Sequence, residues 1–271
     1  MVSKRGLAAA MNCRIYGGGG GGGGETVVLA HGYGTDQSVW DKVGPRLAAR
    51  SRVVVFDWCF AGSVGLYDAQ RYGSYDAFAD DLIAVMDELK VPPAVFVGHS
   101  MAGMIGCIAS VKRPDLFRRL VLVGPSPRLA NTEDYEGGFD MSGIEKIFSS
   151  IESDFDQWSS TFASLVIDSS DQISIQLLAN LLKRMGRRAA LPLAKTVFLG
   201  DYRGVLENVT TACHIIHTRG DIIVPDSVPS YMKSKIKGDC EVLVIDTQGH
   251  FPQLTNHEQF IEIIDRILDG Y

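Results

Sequence analysis

Cysteine is scarce in this sequence, and its placement follows no pattern. The 271 residues include five widely separated cysteines, an odd number, at Cys13, Cys59, Cys107, Cys213 and Cys240. A disulfide framework needs evenly paired cysteines at patterned spacings. Cys213, His214 and His217 could suggest a zinc site, but the two histidines fall in a strand-like run, where residues three apart face opposite sides. We therefore expect reduced thiols, an intracellular protein and no bound metal.

Long apolar runs and an excess of positive charge are also missing. No stretch approaches the roughly 20 apolar residues that span a bilayer. The short Ala stretch after Lys4 and Arg5 is too short for the core of a secretory signal. With 26 basic and 32 acidic residues the net charge is −6, which argues against a nucleic-acid partner. We expect a cytoplasmic protein, small enough for the nucleus, that binds neither membrane nor nucleic acid.

An unbroken glycine run occupies residues 17–24. It has no collagen period, so it is typical of a flexible turn. A phosphate-binding loop is the alternative, but neither Lys-Ser nor a helix start follows the run. We predict a hairpin in which this turn joins strands at 13–16 and 26–29, preceded by a disordered N-terminus over residues 1–12.

Short apolar runs recur along the chain, and helical patterns separate several of them. In one such pattern Phe78, Leu82, Met86 and Leu89 share a helical face. Continuous apolar runs of this length are typical of strands buried on both faces of a parallel sheet. They predict one α/β domain over 13–271, with a mainly parallel central sheet and helices on both faces. The runs are 27–30, 53–56, 95–97, 120–123, 215–216 and 242–245.

The strand signal disappears between residues 131 and 200. Apolar residues there repeat at helical spacing in four groups, separated by Ser-Asp-rich linkers. An insertion at this position lies over the carboxyl ends of the strands, where the sites of open α/β sheets are found. We predict a four-helix cap at about 131–200.

The strongest chemical signal is Ser100. The apolar run 95–97 leads through Gly98 and His99 to Ser100, and a helix of small and apolar residues follows. This strand–turn–helix context is typical of a nucleophile elbow and so of the α/β-hydrolase fold, although Ala102 stands where glycine is usual. A serine that only caps a helix is the alternative.

A serine nucleophile needs a base, and in this fold the acid and then the histidine follow the serine along the chain. Asp221 and His250 each follow a predicted strand, so both belong at the sheet edge that carries Ser100. We predict that His250 takes the serine proton and that Asp221 orients the imidazole. Asp226 and Asp246 are the other carboxylates near these positions, and they are expected to be solvated or capping residues.

An acyl-transfer site also needs donors for the developing oxyanion. The loop His31-Gly32-Tyr33-Gly34 follows the first buried run, so the backbone N–H groups of Tyr33 and Met101 are the expected pair. His31 is expected to support this loop without reacting. The chemistry requires no cofactor.

Several motifs resemble the plant strigolactone and karrikin receptor family from about Cys13 to the C-terminus. They include the cap as well as the triad loops. These motifs are HGYGTDQSVW at 31–40, GHSMAGMIG at 98–106, RPDLF at 113–117, PSPR at 125–128, DYEGGF at 134–139 and GHFPQL at 249–254.

The resemblance implies a slow hydrolase of butenolide-type ligands that signals through an F-box protein and repressor proteins. It also implies a V-shaped cap over a hydrophobic pocket. The positions that match the family's pocket are Tyr33, Phe139, Ile147, Trp158, Phe162, Val197, Phe198 and Ile222.

The chain departs from the receptors at some positions. Met101-Ala102-Gly103 stands where they carry Val-Ser-Ala, and the segment 183–188 is unusually basic. These departures resemble divergent receptor-like paralogues. We therefore expect a monomeric, receptor-like serine esterase or lactonase acting slowly on a butenolide. The alternatives are an ordinary carboxylesterase or lactonase without a signalling partner, and a binding module with a vestigial triad.

Overall fold

The computed structural model describes residues 6–17 and 24–270, in which seven strands form one sheet. The spatial order is β1-β3-β2-β4-β5-β6-β7, and every neighbouring pair except β1–β3 is parallel. The prediction of a mainly parallel sheet is confirmed. The strands are β1 Arg14–Tyr16, β2 Thr26–Ala30, β3 Arg52–Val55, β4 Ala94–His99, β5 Phe117–Val123, β6 Cys213–Gly220 and β7 Cys240–Gln248.

The central strands are apolar along their whole length because helices cover them. All residues of β2 and β4 are buried, as expected for strands inside a parallel sheet. Helix α3 packs against α4, and α11 packs against α2. The helices are α1 Leu7–Ala10, α2 Gly44–Leu47, α3 Tyr75–Glu88, α4 Met101–Lys112, α5 Met141–Ser153, α6 Phe155–Val166, α7 Gln172–Met185, α8 Arg187–Leu199, α9 Ser227–Lys235, α10 Pro252–Thr255 and α11 His257–Leu268.

The apolar stripe predicted for one helix lies on α3. Phe78, Leu82 and Met86 are all buried there against the sheet core. Ser74 caps this helix by accepting a hydrogen bond from the N–H of Asp76. None of the helices within 6–17 and 24–270 has the length and hydrophobicity that a membrane crossing requires.

The predicted hairpin around the glycine run is wrong. Strand β1 pairs antiparallel with β3, with Ile15 opposite Val54, while β2 lies on the other side of β3. Strands β1 and β2 were predicted to pair with each other, but β3 lies between them and pairs with both. Residues 18–23, most of the predicted flexible turn, lie outside the described residues.

The prediction of disorder over residues 1–12 is corrected for residues 6–12. Helix α1 forms there, the Ala8 N–H donates to Oε2 of Glu88 at 3.1 Å, and Met11 is buried in the core. The Asn12 side chain donates to Asp57. These contacts with distant segments offset the entropy cost of ordering the chain. Residues 1–5 lie outside the described residues.

Four helices, α5 to α8, occupy the connection between β5 and β6. They pack as neighbours, α5 against both α6 and α8 and α6 against α7. Their buried faces join the apolar core of the sheet. This arrangement places the four helices beside the carboxyl ends of the strands.

Candidate active site

Ser100 occupies the sharp turn between β4 and α4. Its backbone has φ 55° and ψ −122°, and its N–H donates to the Val123 carbonyl oxygen at 2.8 Å. A serine at positive φ is strained, and it persists only where the surrounding structure holds it. The turn therefore has the conformation of a nucleophile elbow at the carboxyl edge of the sheet.

His250 and Asp221 form a buried pair at the same edge of the sheet. Nδ1 of His250 lies 2.6 Å from Oδ2 of Asp221, and the Asp221 side chain is fully buried. The other carboxylate oxygen accepts the N–H of Ile223 at 2.8 Å. Nε2 of His250 is buried without a hydrogen-bond partner among the described residues. Because Nδ1 donates to the Asp221 carboxylate, Nε2 is the unprotonated nitrogen that can accept a proton, and no hydrogen bond joins it to the Ser100 hydroxyl in this conformation.

The two other carboxylates have different partners. Asp226 accepts from Nε2 of His217 at 2.8 Å, and the exposed Asp246 pairs with Arg219. Since Asp221 bonds to Nδ1 of His250, it is the carboxylate placed to orient that imidazole.

The loop that follows β2 packs directly on the turn at Ser100. A Cβ atom added at Gly32 would lie 3.1 Å from the Ser100 Cβ and 2.8 Å from Nδ1 of His99, so only glycine fits. His31 is buried below this loop and accepts the Trp58 N–H at 2.9 Å. Burial lowers the pKa of His31. His31 therefore supports the loop after β2 through its hydrogen bond to Trp58.

The two residues expected to supply the oxyanion-hole N–H groups are the sequence neighbours of this contact, since Tyr33 follows Gly32 and Met101 follows Ser100. Met101 is the first residue of α4, so its N–H has no partner in a preceding helical turn. Tyr33 follows Gly32 and lines the same cavity as Ser100.

The cavity at Ser100 is small. Its volume is about 30 Å³, close to the space that one or two water molecules need. Four of the eight predicted pocket residues line it: Tyr33, Phe162, Val197 and Phe198. Four further residues around it were not predicted: His99, Leu129, Ile223 and Phe251.

The remaining predicted residues line a second cavity of about 230 Å³ between α5, α6 and the loop after β6. Its lining includes Phe139, Ile147, Trp158 and Ile222, and it shares Phe162 and Ile223 with the first cavity. The Trp158 ring stacks on Phe162, with centroids 5.2 Å apart. The predicted single pocket is therefore divided in this conformation, with Phe162 and Ile223 in the dividing wall.

His99 also belongs to the site, although no sequence motif predicted a role for it. It is fully buried, and burial holds its pKa well below the usual value. Its Nε2 lies 2.9 Å from the His250 carbonyl oxygen. The motif Gly-His-Ser contains this residue, but nothing in the sequence shows that the loop carrying His250 returns to it.

No cluster of metal ligands is found within the described ranges, and the cysteines there carry free thiols. Burial raises the pKa of the Cys107 thiol to about 12, so this thiol stays protonated and unreactive at neutral pH.

Comparison with known proteins places the chain among hydrolases. Residues 27–263 match the model of the alpha/beta hydrolase family. The chain is 39% identical to "Strigolactone esterase D14" of Arabidopsis thaliana, over 98% of this chain and 99% of the relative. It is 40% identical to "Karrikin insensitive 2 receptor CA" of Petunia hybrida, over 89% of this chain and 91% of the relative.

A solved structure supports the same assignment. A hydrolase from Oleispira antarctica superposes with a TM-score of 0.92 at 27% identity, over 98% of this chain and 97% of that protein. The predicted α/β-hydrolase fold and the predicted resemblance are both confirmed. The chain belongs to the alpha/beta hydrolase family, within the group that contains the strigolactone esterases and the karrikin receptors.

Proposed function

We propose that this protein is a receptor-like serine hydrolase that binds and slowly hydrolyses a butenolide ligand. The observation that carries the proposal is that Ser100, on a strained turn, lines the same cavity as His250, which is paired with the buried Asp221. The relatives named as strigolactone esterase and karrikin receptor support the choice of ligand class.

The reaction follows from this geometry. His250 Nε2 takes the hydroxyl proton as Ser100 Oγ attacks the ester carbonyl carbon of the ligand, and Asp221 stabilises the resulting imidazolium. The carbonyl oxygen becomes an oxyanion that accepts the N–H groups of Tyr33 and Met101. Cleavage of the ester C–O bond releases the leaving group, which receives the proton from His250. Water activated by His250 then hydrolyses the acyl-serine.

A ligand that enters through the outer cavity reaches Ser100 only if the wall between the two cavities changes. The cavity at Ser100 measures about 30 Å³, whereas the outer cavity measures about 230 Å³ and has a mainly apolar lining suited to a small apolar ligand. Turning the Phe162 side chain away would join the two spaces. This requirement for a prior movement favours slow turnover.

A receptor-like hydrolase also needs signalling partners and a cellular compartment in which it meets them. By the resemblance to the receptors, the ligand-bound monomer would recruit an F-box protein and repressor proteins in the cytoplasm and nucleus. The cap is the element expected to change shape, because it borders both cavities.

A covalent probe tests the hydrolase chemistry. A fluorophosphonate should label the wild-type protein at Ser100, and Ser100→Ala should abolish labelling and lower butenolide hydrolysis by on the order of 10⁴-fold. Ser110→Ala is a matched control because Ser110 is buried in the same helix region, away from both cavities. Labelling that persists in Ser100→Ala would refute the assignment of the nucleophile.

A further inference from the structure

We propose that helices α7 and α8 of the cap hold the oxyanion loop, residues 31–36, in its working position, with the Tyr33 hydroxyl and Arg184 as positioning groups. This inference rests on the proposed function, because it concerns the loop whose Tyr33 N–H would bind the oxyanion. Three separate contacts join the loop to these two helices.

The first contact is a hydrogen bond from a buried side chain. The Tyr33 hydroxyl donates to the Ala190 carbonyl oxygen in α8 at 2.9 Å, 157 residues away in sequence. Burial raises the pKa of Tyr33, so the phenol remains a donor. The ring also packs edge-on against Trp158, with centroids 6.4 Å apart. The residue that supplies a backbone donor to the site is therefore fastened to the cap by its own side chain.

The second contact is an ion pair at the end of the loop. Arg184, in the last turn of α7, donates to Oδ2 of Asp36 at 2.6 Å. The other Asp36 oxygen accepts the Ser38 N–H at 3.0 Å, which fixes the carboxylate at the start of the next helical turn. The Arg184 side chain is 59% exposed, and such pairs add little stability. Its role here is to fix geometry.

The third contact is close packing at Gly34. This residue has φ +69°, and a Cβ atom added to it would lie 2.3 Å from Cδ2 of Leu182 in α7. Leu182 is fully buried, so the loop backbone rests directly on the helix.

These contacts couple the position of the cap to the quality of the oxyanion hole. An oxyanion donor is effective only at about 2.7–3.1 Å from the oxygen it stabilises. A shift of α7 and α8 would move Tyr33 through its hydroxyl and Asp36 through Arg184. The cap would then control acylation as well as ligand entry.

The test compares four variants that leave the apolar packing intact. Tyr33→Phe removes only the hydroxyl, Arg184→Ala removes the ion pair, and Arg184→Lys should restore it. Arg187→Ala is the matched control, because Arg187 is a nearby exposed cation without an ion pair among the described residues. The first readout is hydrogen–deuterium exchange of backbone amides in residues 31–36.

The second readout is specific to the oxyanion. A trifluoromethyl ketone adds to Ser100 and forms a hemiketal whose oxygen occupies the oxyanion hole. Its affinity is compared with the dissociation constant of a simple ester, taken from the concentration dependence of the acylation burst, which reports binding before reaction. A merely structural defect would change both quantities, whereas a displaced donor lowers ketone affinity and the acylation rate while this dissociation constant stays unchanged.

We expect faster exchange over 31–36 in Tyr33→Phe and Arg184→Ala, recovery in Arg184→Lys and no change in Arg187→Ala. In Tyr33→Phe and Arg184→Ala, ketone affinity should fall about tenfold. This loss is smaller than the roughly 10²-fold loss of rate that follows complete removal of an oxyanion donor. If the wild type reacts at Ser100 while both variants keep its amide exchange over 31–36 or its ketone affinity, the coupling between the cap and the oxyanion loop is wrong and the proposed function stands. A wild-type protein that neither binds the ketone nor is labelled at Ser100 would overturn the proposed function and, with it, the positioning role.

Discussion

Nε2 of His99 lies 2.9 Å from the backbone carbonyl oxygen of His250. Because a carbonyl oxygen only accepts, the imidazole of His99 must donate from Nε2, and its Nδ1 is the unprotonated nitrogen. The ring also packs against His250 and Phe251, with centroids 4.9 and 4.5 Å apart. The residue before the candidate nucleophile therefore holds the loop that carries the candidate base.

This arrangement predicts an acid-sensitive fold. Burial lowers the pKa of His99 far below its usual value, with the nearby His250 and His31 as lesser causes. Below a pH of about 6.5, the unfolded chain therefore binds a proton at His99 that the folded chain does not bind. The stabilising contribution is complete above the unfolded pKa of about 6.5 and declines as pH falls below it toward the folded pKa. Denaturant unfolding between pH 8 and pH 5 should show this loss.

His99→Gln is the variant that isolates this effect, because the amide can still donate to the His250 carbonyl oxygen but does not titrate. Its unfolding free energy should depend less on pH than that of the wild type. His257→Gln, in the first turn of α11, should keep the wild-type dependence. Equal pH slopes in His99→Gln and wild type would show that His99 is not the group responsible.

The two candidate acids are separated by a pair of matched substitutions. Asp221→Asn keeps the size of the side chain but favours the wrong tautomer of His250, which should lower the hydrolysis rate by roughly 10⁴-fold. Asp226→Asn changes a carboxylate that bonds to His217 instead, so the rate should hardly change. Steady-state hydrolysis of one ester by both variants is the measurement. A larger loss in Asp226→Asn would reverse the assignment.

The parallel strands β2 to β7, and the sheet edge on which Ser100, Asp221 and His250 lie, could be predicted from the sequence. Both follow from local patterns, because buried strands are continuous apolar runs and parallel strands present their carboxyl ends at one edge. Strand β1 was misassigned because the choice between β2 and β3 as its partner depends on long-range packing. The ordering of residues 6–12 likewise depends on Glu88, far away in the chain.

The division of the pocket could not be predicted for a related reason. The motifs identify which positions face the cap interior, but the side-chain conformation of Phe162 decides whether one cavity or two result. A conformation of this kind is set by neighbouring side chains, here Trp158, and leaves no pattern in the sequence.

Phe162 should control access to Ser100. Phe162→Ala would remove much of the dividing wall, so a butenolide should bind faster. Phe162→Asp would place an unpaired charge in an apolar wall and weaken binding. Stopped-flow fluorescence of ligand binding measures both effects. Phe148→Ala is the control, because Phe148 packs on Phe198 without lining either cavity. Slower binding in Phe162→Ala would contradict the role as a partition.

The last prediction separates a receptor from an ordinary esterase. A receptor benefits from remaining in its ligand-bound or acylated state, since recruiting a partner takes time. We therefore expect turnover of a butenolide well below the enzyme median of about 10 s⁻¹. An ordinary esterase releases its product quickly and should turn over many times. Steady-state kinetics and thermal shift on one purified sample provide the comparison.

The thermal shift has an expected sign. A ligand that binds only the folded state raises Tm by mass action. An acyl group on Ser100 stays attached when the chain unfolds, so mass action does not protect the acylated protein. Loosening of the cap around the acyl group, including its contact with Tyr33, should then lower Tm. Ser100→Ala, which binds but cannot be acylated, should show only the increase. Turnover of hundreds per second on a simple ester, with Tm raised in both proteins and no ligand-dependent capture of a partner, would leave the ordinary esterase as the function.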